Sequence, residues 1–115
     1  MEDDCLFCSI IEGEQDADQV YETDEVLGFH DINPQAPTHL LFVPKKHIAS
    51  VNDLRESDES LIGKLYTAAR SVAEDKGFAE SGYRLVVNCG DDAMQSVDHL
   101  HLHCLAERQL DWPPG

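Results

Sequence analysis

The chain lacks any long apolar run. Its longest compact apolar stretch is LLFV at 40–43, far short of the roughly 20 residues that span a bilayer. The first residues, MEDD, have neither the basic start nor the apolar segment of a secretory signal. We therefore expect a soluble, cytoplasmic protein without a membrane partner.

Basic residues are also scarce: 8 Lys plus Arg stand against 23 Asp plus Glu, which gives a formal net charge of −15. Such a field repels phosphate backbones and argues against nucleic acid as a partner, although donors inside a cleft can still hold a small anion. A high-salt habitat and an ordinary acidic protein both fit this surface. The 42% hydrophobic share excludes intrinsic disorder, and because no linker or repeat interrupts the 115 residues, we expect a single domain over 1–115.

Cysteine is present at only four positions. In an intracellular chain these are thiols or metal ligands rather than a disulfide framework. Cys5 and Cys8 form a CxxC motif, while Cys89 and Cys104 stand apart.

The periodicity predicts two helices and five strands. A short helix is expected over 5–12, stopped by Gly13, and a long one over 57–76, with Ser57 as its N-cap and Gly77 after its last turn. Strands are predicted over 19–22, 26–31, 38–43, 83–88 and 97–105. Short successive strands with two helices indicate an α+β fold built on an antiparallel sheet.

The motif HLHLHC at 99–104 carries the strongest chemical signal. Side chains alternate faces along a strand, so His99, His101 and His103 are expected to share one face, about 6.6 Å apart. Leu100 and Cys104 then face the other way. Two interpretations follow from the residues alone. The imidazoles either bind a metal such as zinc, or one of them acts without metal as a nucleophile or general acid.

This motif resembles the signature of the histidine-triad (HIT) family of nucleotide hydrolases and transferases. Further segments are similar to the nucleotide-binding branch of that family: FHDINPQAPTH at 29–39, VPKKHI at 43–48, YRLVVN at 83–88, QSV at 95–97 and WPPG at 112–115. The resemblance covers nearly the whole chain. It implies a five-stranded antiparallel sheet and a homodimer in which two sheets join into one of ten strands.

The resemblance also implies an activity, the hydrolysis of purine nucleoside 5′-phosphoramidates to AMP or GMP and an amine. His101 matches the nucleophile that forms a nucleotidyl-histidine intermediate, and covalent catalysis of this kind divides one difficult displacement into two easier ones. The other catalytic positions match His99, His103 and His39. For His39, a hydrogen bond to the catalytic imidazole and plain packing both remain open.

Binding roles follow from the same resemblance. The phosphate-contacting positions match Asn88, Gln95, Ser96 and His103, which are donors suited to a developing negative charge. The nucleoside pocket matches Leu6, Phe7, Ile10, Phe29, His30, Asp31 and Ile32, in which the Asp31 carboxylate accepts from the ribose hydroxyls. For Leu6, Ile10 and Ile32, plain core packing is the stronger interpretation from the residues alone. Trp112 is expected to lie over the site of the partner protomer.

Family members with this CxxC motif bind a structural zinc, and the matching ligands here are Cys5, Cys8, His47 and His99. Two thiolates and two imidazoles close a tetrahedral shell and leave no open position for catalysis. His99 then serves the zinc, while His101 and His103 serve the phosphate. No organic cofactor is implied.

The chain departs from the family pattern at three places. Two positions that usually carry Gly-Gly are Ala93-Met94 and Ala106-Glu107 here, which puts the phosphate-loop geometry in question because a Cβ hinders positive φ. Asp98 replaces an aromatic residue and is expected to face away from the histidines. Competing functions are a dinucleoside polyphosphate hydrolase or nucleotidyl transferase, a nucleotide-binding or scaffolding protein with vestigial catalysis, and a triad that binds a catalytic zinc.

Overall fold

Five antiparallel strands form one sheet in the order β1-β2-β3-β5-β4, which confirms the α+β prediction. The structure is a computed structural model that describes residues 5–115; residues 1–4, on which the expectation about a leader rests, lie outside the described part. The elements are α1 (Leu6–Ile11), β1 (Gln19–Glu22), β2 (Val26–His30), β3 (Thr38–Pro44), α2 (Glu59–Lys76), β4 (Tyr83–Val86) and β5 (Leu102–Ala106). None of the helices in residues 5–115 combines the length and apolar character that a membrane span requires.

The two faces of the sheet carry different cores. The first core contains α2 and side chains such as Leu40, Phe42 and Leu102, and the second contains α1 with Phe29, Leu41 and Val43. This division follows from the alternation of side chains along a strand. Gly28 on β2 is required by the first core, because a Cβ at this position would lie 2.7 Å from the Phe42 ring.

The long helix begins two residues later than predicted. A 3-10 turn, Glu56–Asp58, precedes it, and Asp58 rather than Ser57 is the N-cap residue. The Asp58 carboxylate accepts from the Arg55 N–H at 3.0 Å and from Lys46 Nζ at 2.6 Å. Gly77 adopts φ +85° and ends the helix as predicted.

Strand β5 is much shorter at its start than the predicted 97–105. The last β3–β5 pair is Phe42 with Leu102. Two positions further along, Leu100 would face Pro44, which has no N–H to continue the ladder, and the Pro44 carbonyl oxygen lies 2.8 Å from His99 Nε2. Residues 97–101 therefore form a bend, and β4 ends at Val86 instead of position 88 because its partner strand ends.

Candidate active site and metal centre

Four side chains meet where α1 approaches the bend before β5. Cys5, Cys8, His47 and His99 each offer one ligand atom, and the four atoms lie within 4.8 Å of one another. Cys5 Sγ lies 3.3 Å from His99 Nδ1, and Cys8 Sγ lies 3.3 Å from His47 Nδ1. The predicted metal ligands are thus brought together from three separate segments.

The protonation of these groups suits metal binding. Because the Pro44 carbonyl can only accept, His99 carries its proton on Nε2 and turns the Nδ1 lone pair toward both sulfur atoms. Burial lowers the pKa of His99 to about 4, so the ring is neutral at pH 7. The N–H of Cys8 donates to Cys5 Sγ at 3.2 Å and holds this sulfur toward the cluster.

The donor set fits zinc. Tetrahedral zinc with these ligands separates them by roughly 3.3–3.8 Å, close to the distances between the sulfur and nitrogen atoms here. His99 is fully buried and lines neither of the two cavities described below. The His99 side chain therefore belongs to the cluster that could hold a metal ion, and a catalytic role for it stays a prediction.

His101 has the opposite tautomer to His99, with its proton on Nδ1 instead of Nε2. Its Nδ1–H donates to the His99 carbonyl oxygen at 2.8 Å, which leaves the lone pair on Nε2. No hydrogen bond among the described residues uses this Nε2. Burial lowers the pKa of His101, so the lone pair is available at neutral pH. The Phe7 ring packs edge-on against the imidazole at 5.1 Å and holds its orientation.

His103 presents a proton where His101 presents a lone pair. The Gln35 N–H donates to His39 Nδ1 at 3.0 Å, so neutral His39 carries its proton on Nε2 and donates it to His103 Nδ1 at 2.9 Å. His103 then carries its own proton on Nε2. This N–H is buried without a partner among residues 5–115, and such a donor costs about 1–3 kcal/mol unless a ligand accepts from it. Burial lowers the pKa of His103 to about 4.

His39 therefore forms a hydrogen bond with His103. The alternative hydrogen bond to His101, which the sequence left open, is not formed. Asp31 Oδ2 lies 3.4 Å from His39 Nε2, and these two residues with His103 form a second group with metal-ligand atoms. This second group is a poor metal site. His39 Nδ1 already accepts from a backbone N–H, so metal binding at Nε2 would require an imidazolate anion.

A cavity of about 240 Å³ lies between α1, β2 and the residues before β5. All seven residues of the predicted nucleoside pocket line it, together with Ser96, His101 and His103. Phe7 and Phe29 pack edge-on at 5.6 Å as its buried wall, whereas Leu6 and Ile32 are exposed at its rim. Asp31 lies at one end, with Oδ1 accepting from the Asn33 N–H and Oδ2 turned toward His39.

A second cavity, of about 470 Å³, lies on the other side of His103, over β4 and β5. Its lining includes Asn88, His39 and a segment that we call the C-terminal tail, residues 110–115. Among residues 5–115, His103 alone lines both cavities. The predicted phosphate contacts are therefore divided, with Ser96 in the first cavity, Asn88 in the second and His103 between them.

Gln95 does not face either cavity as a free donor. Its Nε2 donates to the carbonyl oxygens of Ala49 and Val97, and its Oε1 accepts from the Gly90 N–H. These three hydrogen bonds hold the loop before β5, and the phosphate contact of Gln95 stays a prediction.

At both positions where this chain lacks the usual Gly-Gly, one residue keeps the positive φ that glycine would adopt. Met94 has φ +61° and Glu107 has φ +73°, both in the left-handed region. The Glu107 carboxylate accepts a hydrogen bond from the Thr38 hydroxyl, whereas the Met94 side chain is 82% exposed. Asp98 is exposed in the bend and lies outside both cavities, as expected.

Some lining residues were not predicted. Leu41 could have been found from strand alternation, since it shares a face with His39 and pairs with His103. Residues 15–17, which also line the first cavity, lie in an irregular loop that carries no such signal. Arg84 and Arg108 in the second cavity were not singled out either, because a lone arginine in a sequence is usually a solvated charge.

Comparison with known proteins agrees with this geometry. A family model described as scavenger mRNA decapping enzyme C-term binding matches residues 4–111. A HIT-like protein of Synechococcus elongatus is 44% identical over the full length of both chains. A HIT family hydrolase of Legionella pneumophila is 49% identical, with a TM-score of 0.95 over 97% of this chain and 100% of that one. A histidine triad protein of Clostridium difficile is 42% identical, with a TM-score of 0.94 over 96% of each chain.

The fold and site define a histidine-triad protein of hydrolase-like type, with a cluster beside the triad that can hold a metal ion such as zinc. The chain belongs to the HIT family.

Proposed function

We propose that this protein hydrolyses purine nucleoside 5′-phosphoramidates through a nucleotidyl intermediate on His101. The observation that carries the proposal is the pair of imidazoles at the cavity wall. His101 Nε2 offers a lone pair, and 4.8 Å away between ring centroids the His103 ring offers a buried N–H without a partner. A nucleophile beside a fixed donor is what attack on an anionic phosphorus requires.

In the first step His101 Nε2 forms a bond to phosphorus and the P–N bond breaks. The departing nitrogen keeps the electron pair and takes a proton from water. The N–H of His103 donates to a phosphoryl oxygen, with His39 acting as the positioning residue that keeps the proton on the outer nitrogen of His103. A second water then attacks phosphorus and gives a proton to the hydroxide left by the first step. The bond between phosphorus and Nε2 breaks, the electron pair returns to His101, and the nucleoside monophosphate leaves.

Nucleoside recognition is assigned to the 240 Å³ cavity. The apolar wall of Phe7, Ile10 and Phe29 suits a flat purine, which gains from ring contacts. The Asp31 carboxylate at the end of the cavity suits the two ribose hydroxyls, because an ionised carboxylate accepts from two donors. Ser96 and Asn88 lie beside His103 in the two cavities and are assigned to the phosphate.

Zinc is proposed as a structural ion on Cys5, Cys8, His47 and His99. When bound, it cross-links α1 to the bend before β5 and supplies no chemistry to the phosphate. Because α1 carries Phe7, loss of this link would loosen the wall against which His101 packs.

A homodimer is proposed through β4, which lies at one edge of the sheet with an unpaired side. Such an edge pairs readily with another strand, and two β4 strands would join two sheets into one of ten strands. Trp112, 81% exposed on the tail, is proposed to reach the site of the partner in that assembly. Light scattering of the full chain tests the dimer.

The test of the activity is intact-mass measurement during turnover of a tryptamine-linked adenylate. Wild type should show a transient species one adenylyl group heavier and should release AMP. His101→Ala should still bind AMP and fold, yet show neither adduct nor turnover. An adduct that persists in His101→Ala would assign the nucleophile to another residue, and AMP binding without turnover by wild type would favour the vestigial alternative.

A further inference from the structure

The second cavity lies where a leaving group must go. Directly paired residues share a face of the sheet, and one row runs from Phe29 through Leu41 and His103 to Val86. Its first members border the nucleoside cavity, and its last borders the second cavity. His101 lines the first cavity only. In-line attack expels the leaving group on the side of phosphorus opposite the nucleophile, and the space that we assign to it is the second cavity, which His103 borders and His101 does not.

The charge of this cavity is unlike the rest of the surface. Arg84 and Arg108 both line it, and Asp111 is the single carboxylate side chain among its lining residues. With His39 and His103 neutral, the side chains of this cavity carry two positive charges and one negative charge, and the α-carboxylate of Gly115 lies at the same cavity, on a protein whose formal charge is −15. A local positive site on an acidic surface selects for an anion.

Neither guanidinium has a carboxylate within 4 Å among residues 5–115. Arg84 Nη2 donates to the Asp111 carbonyl oxygen at 2.9 Å, and Arg108 donates to the carbonyls of Gln35 and Gln109 at 3.2 and 3.1 Å. Lys45, Lys46, Lys64 and Arg70 are each paired with an acidic side chain. Arg55 and Lys76 have no such pair among residues 5–115 either, but neither lines this cavity. Each guanidinium has five N–H donors, so most of those in the cavity remain free.

From this arrangement we propose that the second cavity is a leaving-group site for an anion, in which Arg84 and Arg108 bind a carboxylate or phosphate carried by the departing group. The inference rests on the proposed function and narrows its substrate class to nucleotide conjugates whose leaving group is negatively charged. Planar guanidiniums suit both anions because they donate two parallel hydrogen bonds.

The backbone contacts of these arginines permit a simpler role, which is to hold the C-terminal tail. The experiment must therefore measure charge selectivity and not activity alone. Two substrates serve as the probe: the adenosine 5′-phosphoramidates of β-alanine, which carries a carboxylate, and of β-alaninamide, its neutral isostere. Diadenosine tetraphosphate provides a third arm, in which the departing group carries phosphate.

The measured quantity is the charge selectivity, which is kcat/KM for the β-alanine conjugate divided by kcat/KM for the β-alaninamide conjugate. We expect this ratio to change in the arginine variants. Arg84→Gln and Arg108→Gln should each lower this ratio about tenfold, while Arg84→Lys should recover part of it. Arg70→Gln is the matched control, since Arg70 is ion-paired with Glu74 on the exposed side of α2, and its ratio should equal that of wild type. If only the tetraphosphate arm responds to the arginine variants, the anion is a phosphate.

Other outcomes overturn the inference. An equal loss on the charged and neutral conjugates, with an unchanged ratio, would show that the arginines only hold the tail. A change in molecular mass by light scattering without a change in ratio would assign them to the contact between protomers. Wild type that cleaves the neutral conjugate without preference for any anion would refute the anion site and leave the proposed function standing. Cleavage of none of the conjugates would refute both.

Discussion

Met94 gives a quantitative test of the backbone argument. It holds φ +61° and ψ 42°, a conformation that costs a residue with a Cβ about 1–2 kcal/mol. Glycine removes that cost but adds about 0.5–1 kcal/mol through the greater freedom of the unfolded chain. Because the Met94 side chain is 82% exposed, its loss removes little buried surface. Met94→Gly should therefore raise the free energy of unfolding by about 0.5–1 kcal/mol.

The measurement is urea and thermal unfolding followed by circular dichroism, in which this gain corresponds to a rise in Tm of about 2–4 °C. Met94→Ala is the matched control, since it removes the side chain and keeps the Cβ, and it should stay close to wild type. Glu107→Gly should give no comparable gain, because it also removes the carboxylate that accepts from Thr38. Equal stabilisation by Met94→Ala and Met94→Gly would refute the argument from backbone conformation.

Three further predictions concern the site. Cys5→Ser should contain less zinc than wild type in elemental analysis and should have a lower Tm. Cys89→Ser, outside the cluster, should keep the zinc content and the Tm of wild type. Equal metal content in the two variants would exclude the cluster as the zinc site. Lowering the pH from 7 to 4 should destabilise the protein, because unfolded His103 takes up a proton near pH 6.5 and the folded residue, with a pKa of about 4, does not. Between pH 7 and pH 4, the free energy of unfolding of His103→Gln should therefore fall by up to about 3 kcal/mol less than that of wild type. Equal dependence of the two unfolding free energies on pH would contradict this. Gln95→Ala should destabilise by about 1–3 kcal/mol, since it leaves the Gly90 N–H and two carbonyls without partners, and should raise KM; an unchanged urea midpoint would contradict the loop role.

The sheet and the long helix were predictable because local signals decide them. Strand alternation separated Leu100 and Leu102 from the histidines, and Gly77 marked the end of α2. The early end of the β3–β5 ladder was not predicted, because it depends on which residue of β3 would have faced Leu100. That partner would be Pro44, and only the register reveals it.

The site was predictable as a set of residues but not as a set of roles. The nucleoside positions line one cavity, and the four metal-ligand positions meet in space. The protonation of each imidazole depends on which backbone group it contacts, such as Pro44 O for His99 or Gln35 N for His39. Contacts of this kind come from tertiary packing, and no spacing in the sequence encodes them.

The two cavities meet at His103 and share no other lining residue in the described part of the chain. One is built from α1, β2 and the loop before β5, and the other mainly from β4, β5 and the C-terminal tail. If the second cavity takes the leaving group as proposed, substitutions on β4 or the tail would alter which group departs and would leave the lining of the nucleoside cavity unchanged. Under the same proposal, descendants of this protein would diverge in the conjugates they cleave while still recognising one nucleotide. His103, which lines both cavities, would then be the position least free to change.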